Sequence, residues 1–176
     1  MHKPLISLGV TLPELMITVC ISGILAGIAI PSFMDVITNN RTASIANQLI
    51  TALNYSRSEA IKRGLQVTVK HKGSTGRVWE NGWDIFTDNN GDGVMNSPDQ
   101  LLRTYEALPE GYSLRTGGNY AGWVAYLAMG NSRGSSGLAN GTFTLCDSSR
   151  DKKKSRAIII NKMGRVRAET GKVPCP

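Results

Sequence analysis

Between Leu15 and Ile30 the chain runs for sixteen residues without a charge, LMITVCISGILAGIAI, and only Thr18 and Ser22 carry hydroxyls. With Val10 to Pro13 added, the stretch reaches the roughly 20 apolar residues of a bilayer-spanning helix. Such a segment must leave water, and it limits the fold to a buried or lipid-rooted helix plus whatever follows. Glu14 interrupts it. A carboxylate near the end of a membrane helix is costly and calls for a partner such as an amine. A secretory signal is the plainer alternative, but it has a shorter apolar centre followed by a small-residue cleavage site.

Past Pro31 the apolar residues Val36, Ile37, Ala43, Ile45, Ala46, Leu49, Ile50, Leu53, Ala60 and Ile61 recur at spacings near three and four, as on one face of an amphipathic helix. Gly64 is a stop signal. One long helix from Leu12 to about Arg63 is expected; a free coiled coil would need a strict heptad, which does not persist. After Gly64 the period changes. LQVTVKH alternates apolar and polar, and RVWENGWDIFTD, GTFTLC, SRAIIINK and GRVRAE follow between Gly, Asn and Ser clusters. A length of 176 residues with 41% hydrophobic content allows one globular domain and one extra element. The fold class is therefore α+β, a long N-terminal amphipathic or transmembrane helix packed on an antiparallel β-sheet head, with Trp79, Trp83, Phe86, Tyr105, Trp123, Tyr126 and Phe143 mostly in the core. The Gly-rich stretch GGNYAGWVAYLAMGNSRGSSGLANG lacks the position before a helix that a phosphate-cradling loop requires, and reads as a surface loop.

Charge is unevenly placed. From Arg150 to Pro176 nine basic residues face two acids, which accounts for the whole formal net charge of +7. From Val78 to Tyr112 seven acids face only Arg103. Polyanions and acidic lipid headgroups are natural partners for the basic end. Of three cysteines, Cys20 lies in the apolar run, whereas Cys146 and Cys175 lie in the polar body and form the natural pair. A bridge between them implies an oxidising compartment; two buried free thiols are the alternative.

The run Gly9-Val10-Thr11-Leu12-Pro13-Glu14-Leu15 resembles the processing signature of type IV prepilins and pseudopilins, with Val10 in place of the usual Phe and Pro13 in place of an aliphatic residue. The resemblance implies that a prepilin peptidase cuts after Gly9, that Val10 is then N-methylated, and that Glu14 neutralises the free amine of a neighbouring subunit. It implies a bend at Pro31. It also divides the chain into a leader (1–9), a transmembrane or filament helix (10–39) and a globular pilin head (40–176). Further on, GWDIFTDNNGDG, GTFTLC and the closing GRVR resemble the FimT/GspH-type minor pilins and pseudopilins. What this implies is a type IV pilin fold, single-pass insertion in the inner membrane and then assembly with other major and minor pilins into a pilus in the periplasm or at the cell surface. The GRxR ending is similar to that of FimT-type minor pilins that bind DNA in natural transformation; the GspH relatives are structural parts of type II secretion pseudopili.

Arg165 and Arg167 alternate by two, so on a strand both guanidinium groups leave one face about 6.6 Å apart. Planar forks suit phosphate oxygens, and Lys162 adds a third positive group across the preceding turn. No aromatic interleaves them, so contact with the DNA backbone without sequence preference is expected. A solvated edge strand blunted by charge is the alternative. The run Lys152, Lys153, Lys154, between two strands, is read as a hairpin tip that widens the same basic surface. In DNNGDGVMNSPD, Asp88, Asn90, Asp92, Gly93, Asn96 and Asp99 fall at EF-hand-like positions, although Asp99 replaces the usual Glu and flanking helices are not expected; calcium is thus a possible ligand and an Asx-rich turn the alternative. No other cofactor is suggested. His2 and His71 are the only histidines and neither has a nucleophile partner in the pattern, so no enzymatic activity is expected.

Overall fold

The computed structural model describes residues 9–175, so the expected leader, except for Gly9, lies outside the described residues together with His2. Helix α1 spans Leu12–Arg63. Pro13 stands in its first turn, where no intrahelical donor is lost, and the Leu15 N–H donates to the Thr11 carbonyl at 3.1 Å. The helix is continuous through Pro31. It ends where Gly64 takes φ +67° and donates its N–H to the Ala60 carbonyl at 3.0 Å, the left-handed stop that glycine permits.

The chain divides into two compact units, one ending at Asn39 and the other beginning at Asn40. In the first, the apolar side chains from Val10 to Ile28 are exposed, and the helix is long and apolar enough to cross a membrane. Cys20 is an exposed free thiol there. In the second, α1 buries Ile45, Ala46, Leu49, Ala52, Leu53 and Ala60, the three-and-four spacing of one face. Ile61 of the expected face is exposed instead.

The strands are β1 Val67–His71, β2 Trp83–Thr87, β3 Leu101–Tyr105, β4 Ser113–Thr116, β5 Trp123–Tyr126, β6 Ser132–Gly134, β7 Gly141–Cys146, β8 Arg156–Ile160 and β9 Val166–Thr170. They form two antiparallel sheets, ordered β3-β2-β1-β5-β6 and β4-β7-β8-β9. One hydrophobic core joins the buried face of α1 to side chains from both sheets. Trp79 meets Phe143 edge-on at 4.8 Å between ring centroids, Tyr120 stacks on Phe143 at 5.7 Å, and Trp79 donates its indole N–H to the Tyr120 carbonyl at 3.2 Å. Trp83, Phe86 and Tyr126 are fully buried, whereas Trp123 and Tyr105 are half-buried.

The Gly-rich stretch from Gly117 to Gly141 corrects the sequence reading. It is not a surface loop throughout, because it contains β5 and β6. β5 lies between β1 and β6, and Val124, Ala125 and Tyr126 are all buried, so no alternation marks it as a strand.

Candidate functional site

The second sheet has two chemically distinct faces. Leu114, Phe143, Leu145, Ile158 and Ile160 point into the core. The registers Thr144↔Ala157, Thr142↔Ile159 and Ile159↔Arg167 place Thr142, Thr144, Ile159 and Arg167 on the opposite face, with Glu169 two residues on. β9 is an edge strand. Arg165 immediately precedes it, and both Arg165 and Arg167 are exposed. Ile159, Asn161, Arg165, Val166 and Arg167 line an open depression of about 310 Å³.

A tight turn sets the position of Arg165. The Gly164 N–H donates to the Asn161 carbonyl at 2.8 Å, Gly164 takes φ +75°, and the Asn161 Oδ1 accepts the Arg165 N–H at 2.9 Å. The Asn161 N–H in turn reaches the Arg165 carbonyl at 3.2 Å, closing the β8–β9 hairpin. The buried Ser132 hydroxyl lies 2.8 Å from the Asn161 carbonyl, tying the turn to β6. Asn161 was not singled out from sequence, although the pattern N-x-x-G between two strands is a turn signal that could have found it. Lys162 is exposed at the tip.

Charges near these cations differ. Arg167 lies 3.6 Å from Glu169, two residues along the same exposed face. Among the described residues neither Arg165 nor Lys162 has a carboxylate within ion-pair distance. Lys152–Lys154 form a single 3-10 turn between β7 and β8, capped by Asp151, whose carboxylate accepts the Lys153 N–H at 2.9 Å. Lys152 and Lys153 are exposed and Lys154 is half-buried. This turn stands before the start of β8 and Lys162 follows its end, so the two groups lie beyond opposite ends of a strand about 13 Å long. They flank Arg167 rather than cluster with it.

The Cys146–Cys175 disulfide is formed, with Cα atoms 5.9 Å apart. It returns the segment after β9 to the end of β7. Ser155 holds the same segment, its hydroxyl 2.8 Å from the Val173 carbonyl and its carbonyl accepting the Gly171 N–H at 3.0 Å.

The carboxylates of Asp88, Asp92 and Asp99 are taken up by hydrogen-bond donors of the protein. Asp88 is buried: Oδ2 accepts from Thr68 Oγ1 at 2.6 Å, Gln66 Nε2 at 2.9 Å and the Gly93 N–H at 3.0 Å, while Oδ1 accepts the Gly91 N–H at 2.7 Å. Asp92 accepts from the Val94 N–H and from the Asn90 and Asn96 side chains. Asp99 accepts both the backbone and side-chain N–H of Asn89 and the Asn96 N–H, which hold its carboxyl below the usual range. Among the described residues no three His, Cys, Asp or Glu side chains gather as a metal-ligand group.

Elsewhere in the Val78–Tyr112 segment three acids are paired: Glu80 with Arg115, and Asp84 and Glu106 with Lys72, at 3.8 and 3.4 Å. His71 is buried against Trp79, ring centroids 5.7 Å apart; burial, and secondarily the charge of Lys70, lower its pKa.

The family described as "Type II transport protein GspH" matches residues 46–164, more than half of the chain. The match stops at Gly164, one residue before Arg165. No match is found among curated proteins. Two crystal structures of the Pseudomonas aeruginosa (strain PAO1) type IV minor pilin FimU are similar, with TM-scores of 0.57 and 0.60 at 20% identity. They cover 75% and 77% of this chain and 95% and 92% of theirs. The Vibrio cholerae minor pseudopilin EpsH, from the type 2 secretion system, is similar with a TM-score of 0.54 at 15% identity, covering 76% of this chain and 99% of that one. These likenesses show a shared pilin fold.

Proposed function

Because the chain belongs to the GspH family of type II transport proteins, we propose that it is a minor pilin whose basic edge strand holds DNA for uptake in natural transformation. The observation that carries this reading is the exposure of Arg165 and Arg167 on the same face of the β9 edge, with Arg165 free of any carboxylate partner among the described residues. Each guanidinium offers paired donors to a phosphate. Lys162 and the pair Lys152 and Lys153 lie beyond opposite ends of β8, a strand about 13 Å long, so the positive strip spans more than four nucleotide steps of duplex at about 3.4 Å each. Binding is electrostatic, to the backbone, and independent of sequence. No cofactor and no catalytic step enter this reading.

The exposed apolar helix supports the rest of the proposal. Prepilin peptidase would cut after Gly9 and leave Val10 as the methylated terminus. The helix would anchor the chain in the inner membrane until it joins other pilins, with Glu14 meeting the amine of a neighbour. A purely structural pilin or type II secretion pseudopilin is the second reading, favoured by the Arg167–Glu169 pair, which reduces the free charge on β9.

The experiment is a DNA titration of the full chain in neutral-detergent micelles, repeated with R165Q/R167Q. About four phosphate contacts give a log–log salt slope near −3.6, at roughly −0.9 per contact. Binding unchanged in the double variant rejects the site, and no binding by either form favours the structural reading.

A further inference from the structure

Two turns of the same design meet at one corner of the second unit. Leu127-Ala128-Met129-Gly130 and Asn161-Lys162-Met163-Gly164 each close with the glycine N–H on the first carbonyl, at 2.7 and 2.8 Å. Each glycine has positive φ, +80° and +75°. Each puts a methionine at the third position, and both are exposed, Met129 at 84% and Met163 at 59%. The turns touch through backbone: the place of a Gly164 Cβ falls on the Gly130 carbonyl oxygen, and Ser132 next to the first turn donates its N–H to the Lys162 carbonyl at 3.2 Å. Ile61 of α1 completes the patch; it is 51% exposed and its Cδ1 lies 2.9 Å from the place of a Gly130 Cβ.

Exposed apolar side chains that share one corner mark a contact surface. Its surroundings are cationic: Lys162 is in the second turn, Arg165 follows it, Lys62 follows Ile61, and the Arg57 Nε–H donates to the Gly130 carbonyl at 2.9 Å. Glu59, on the same helix, is taken up by Arg63 at 2.7 Å. The matching ligand must be anionic and carry flat, polarisable apolar groups. Unstacked nucleobases on a phosphate backbone have that combination, since a thioether packs well on an aromatic ring and every base has a π-face. In duplex DNA those faces are stacked away.

We propose that the paired methionine turns accept the bases of single-stranded DNA whose phosphates lie on Lys162 and Arg165. This rests on the DNA-binding reading of the same edge and names its substrate form. A protein partner would fit the apolar part, but Lys162 and Arg165, with no carboxylate within ion-pair distance among the described residues, favour a polyanion.

The full chain in detergent micelles is titrated with a short mixed-sequence single strand, an abasic strand of equal length, and the matching duplex. Two ordinary thioether–ring contacts predict that the base-bearing strand binds about tenfold tighter than the abasic one. M129S/M163S removes that advantage and leaves abasic and duplex binding unchanged, while R165Q/R167Q weakens all three. Equal binding of base-bearing and abasic strands by the wild-type chain overturns the methionine contact and leaves electrostatic capture standing. Absence of binding to every DNA overturns both. If M129S/M163S keeps the base-dependent advantage yet fails to enter pili, the patch belongs to a neighbouring subunit and the inference is wrong.

Discussion

Gly164 lies directly against the carbonyl oxygen of Gly130. A Cβ at Gly164 would overlap that oxygen and stand 3.0 Å from the Tyr126 ring and 3.2 Å from Arg57 Nε. The oxygen cannot simply retreat, because it accepts the Arg57 Nε–H at 2.9 Å and so links the loop to α1. Gly164→Ala therefore meets two costs, about 1–2 kcal/mol for a left-handed residue and about 1–3 kcal/mol for overpacking. A drop of roughly 5–15 °C in melting temperature is expected. DNA affinity should fall with it, since Arg165 is placed by the same turn. A variant that melts with the wild-type chain would mean that the turn has room.

What the sequence carried and what it hid divide along the range of the interactions. α1 was legible to its ends because a 3.6-residue period and the Gly64 stop are local. β1, β7, β8 and β9 were legible by their alternation or apolar runs between turn residues. β5 was not, because a strand covered on both faces loses its alternation, and the surrounding glycines, which serve close backbone contacts, look like loop. The basic face was readable as the spacing of Arg165 and Arg167. The contacts of Gly164 with Gly130 and of Ser132 with Lys162 join residues about thirty positions apart, and no local pattern announces them. Asp88 shows the same limit: its position in DNNGDG suggests a cation ligand, but Thr68 and Gln66, supplied by β1 and the residue before it, draw it into the protein.

The disulfide stabilises the basic edge from its far side. In the chain-entropy picture, closing 29 residues between Cys146 and Cys175 contributes about 3–4 kcal/mol. Reduction, or Cys175→Ser, is expected to lower the melting temperature by about 6–16 °C. Hydrogen exchange should quicken first at Gly171, whose N–H is held by Ser155, and only later at Phe143 in the core. Uniform loss of protection along β7, β8 and β9 would show instead that the bridge holds the whole sheet.

Asp88 accepts four hydrogen bonds, and its removal strands their donors. Asp88→Ala is expected to cost about 3–5 kcal/mol, because buried donors left without partners lose more than the net worth of a bond. With these oxygens already engaged, millimolar calcium should move the melting temperature by less than about 2 °C, since a cation stabilises only by its affinity for the folded form. A calcium-dependent rise of several degrees would mean that the carboxylates turn to ligate.

His71 gives stability a sign with pH. Its folded pKa is held below the ordinary 6.5, first by burial and then by Lys70. Between that lowered value and 6.5 the unfolded chain binds a proton that the folded chain refuses, so stability rises with pH. The contribution is complete above 6.5 and is lost as pH falls through the folded value. Melting temperature should therefore drop from pH 7 to pH 5, and His71→Gln should flatten the slope. The lowered pKa of Asp99 acts in a separate window, below its ordinary 3.8. An equal slope in the variant would assign the pH dependence elsewhere.

Glu169 opposes the function proposed for its neighbour. It lies 3.6 Å from Arg167 on the exposed face, with the two side chains 33% and 69% accessible. A pair this exposed contributes at most about 1 kcal/mol to stability, so Glu169→Gln should leave the melting temperature within about 4 °C of wild type. Its effect on binding has the opposite sign, because removing the carboxylate frees the Arg167 guanidinium for phosphate and reduces repulsion of the backbone. At low salt the variant should bind DNA about two- to fivefold tighter, and the gain should vanish as salt screens the edge over distances shorter than about 10 Å. If the variant binds DNA like the wild-type chain at every salt concentration, Arg167 contributes no phosphate contact, and the basic strip is left to Lys162 and Arg165 with Lys152 and Lys153 apart from them.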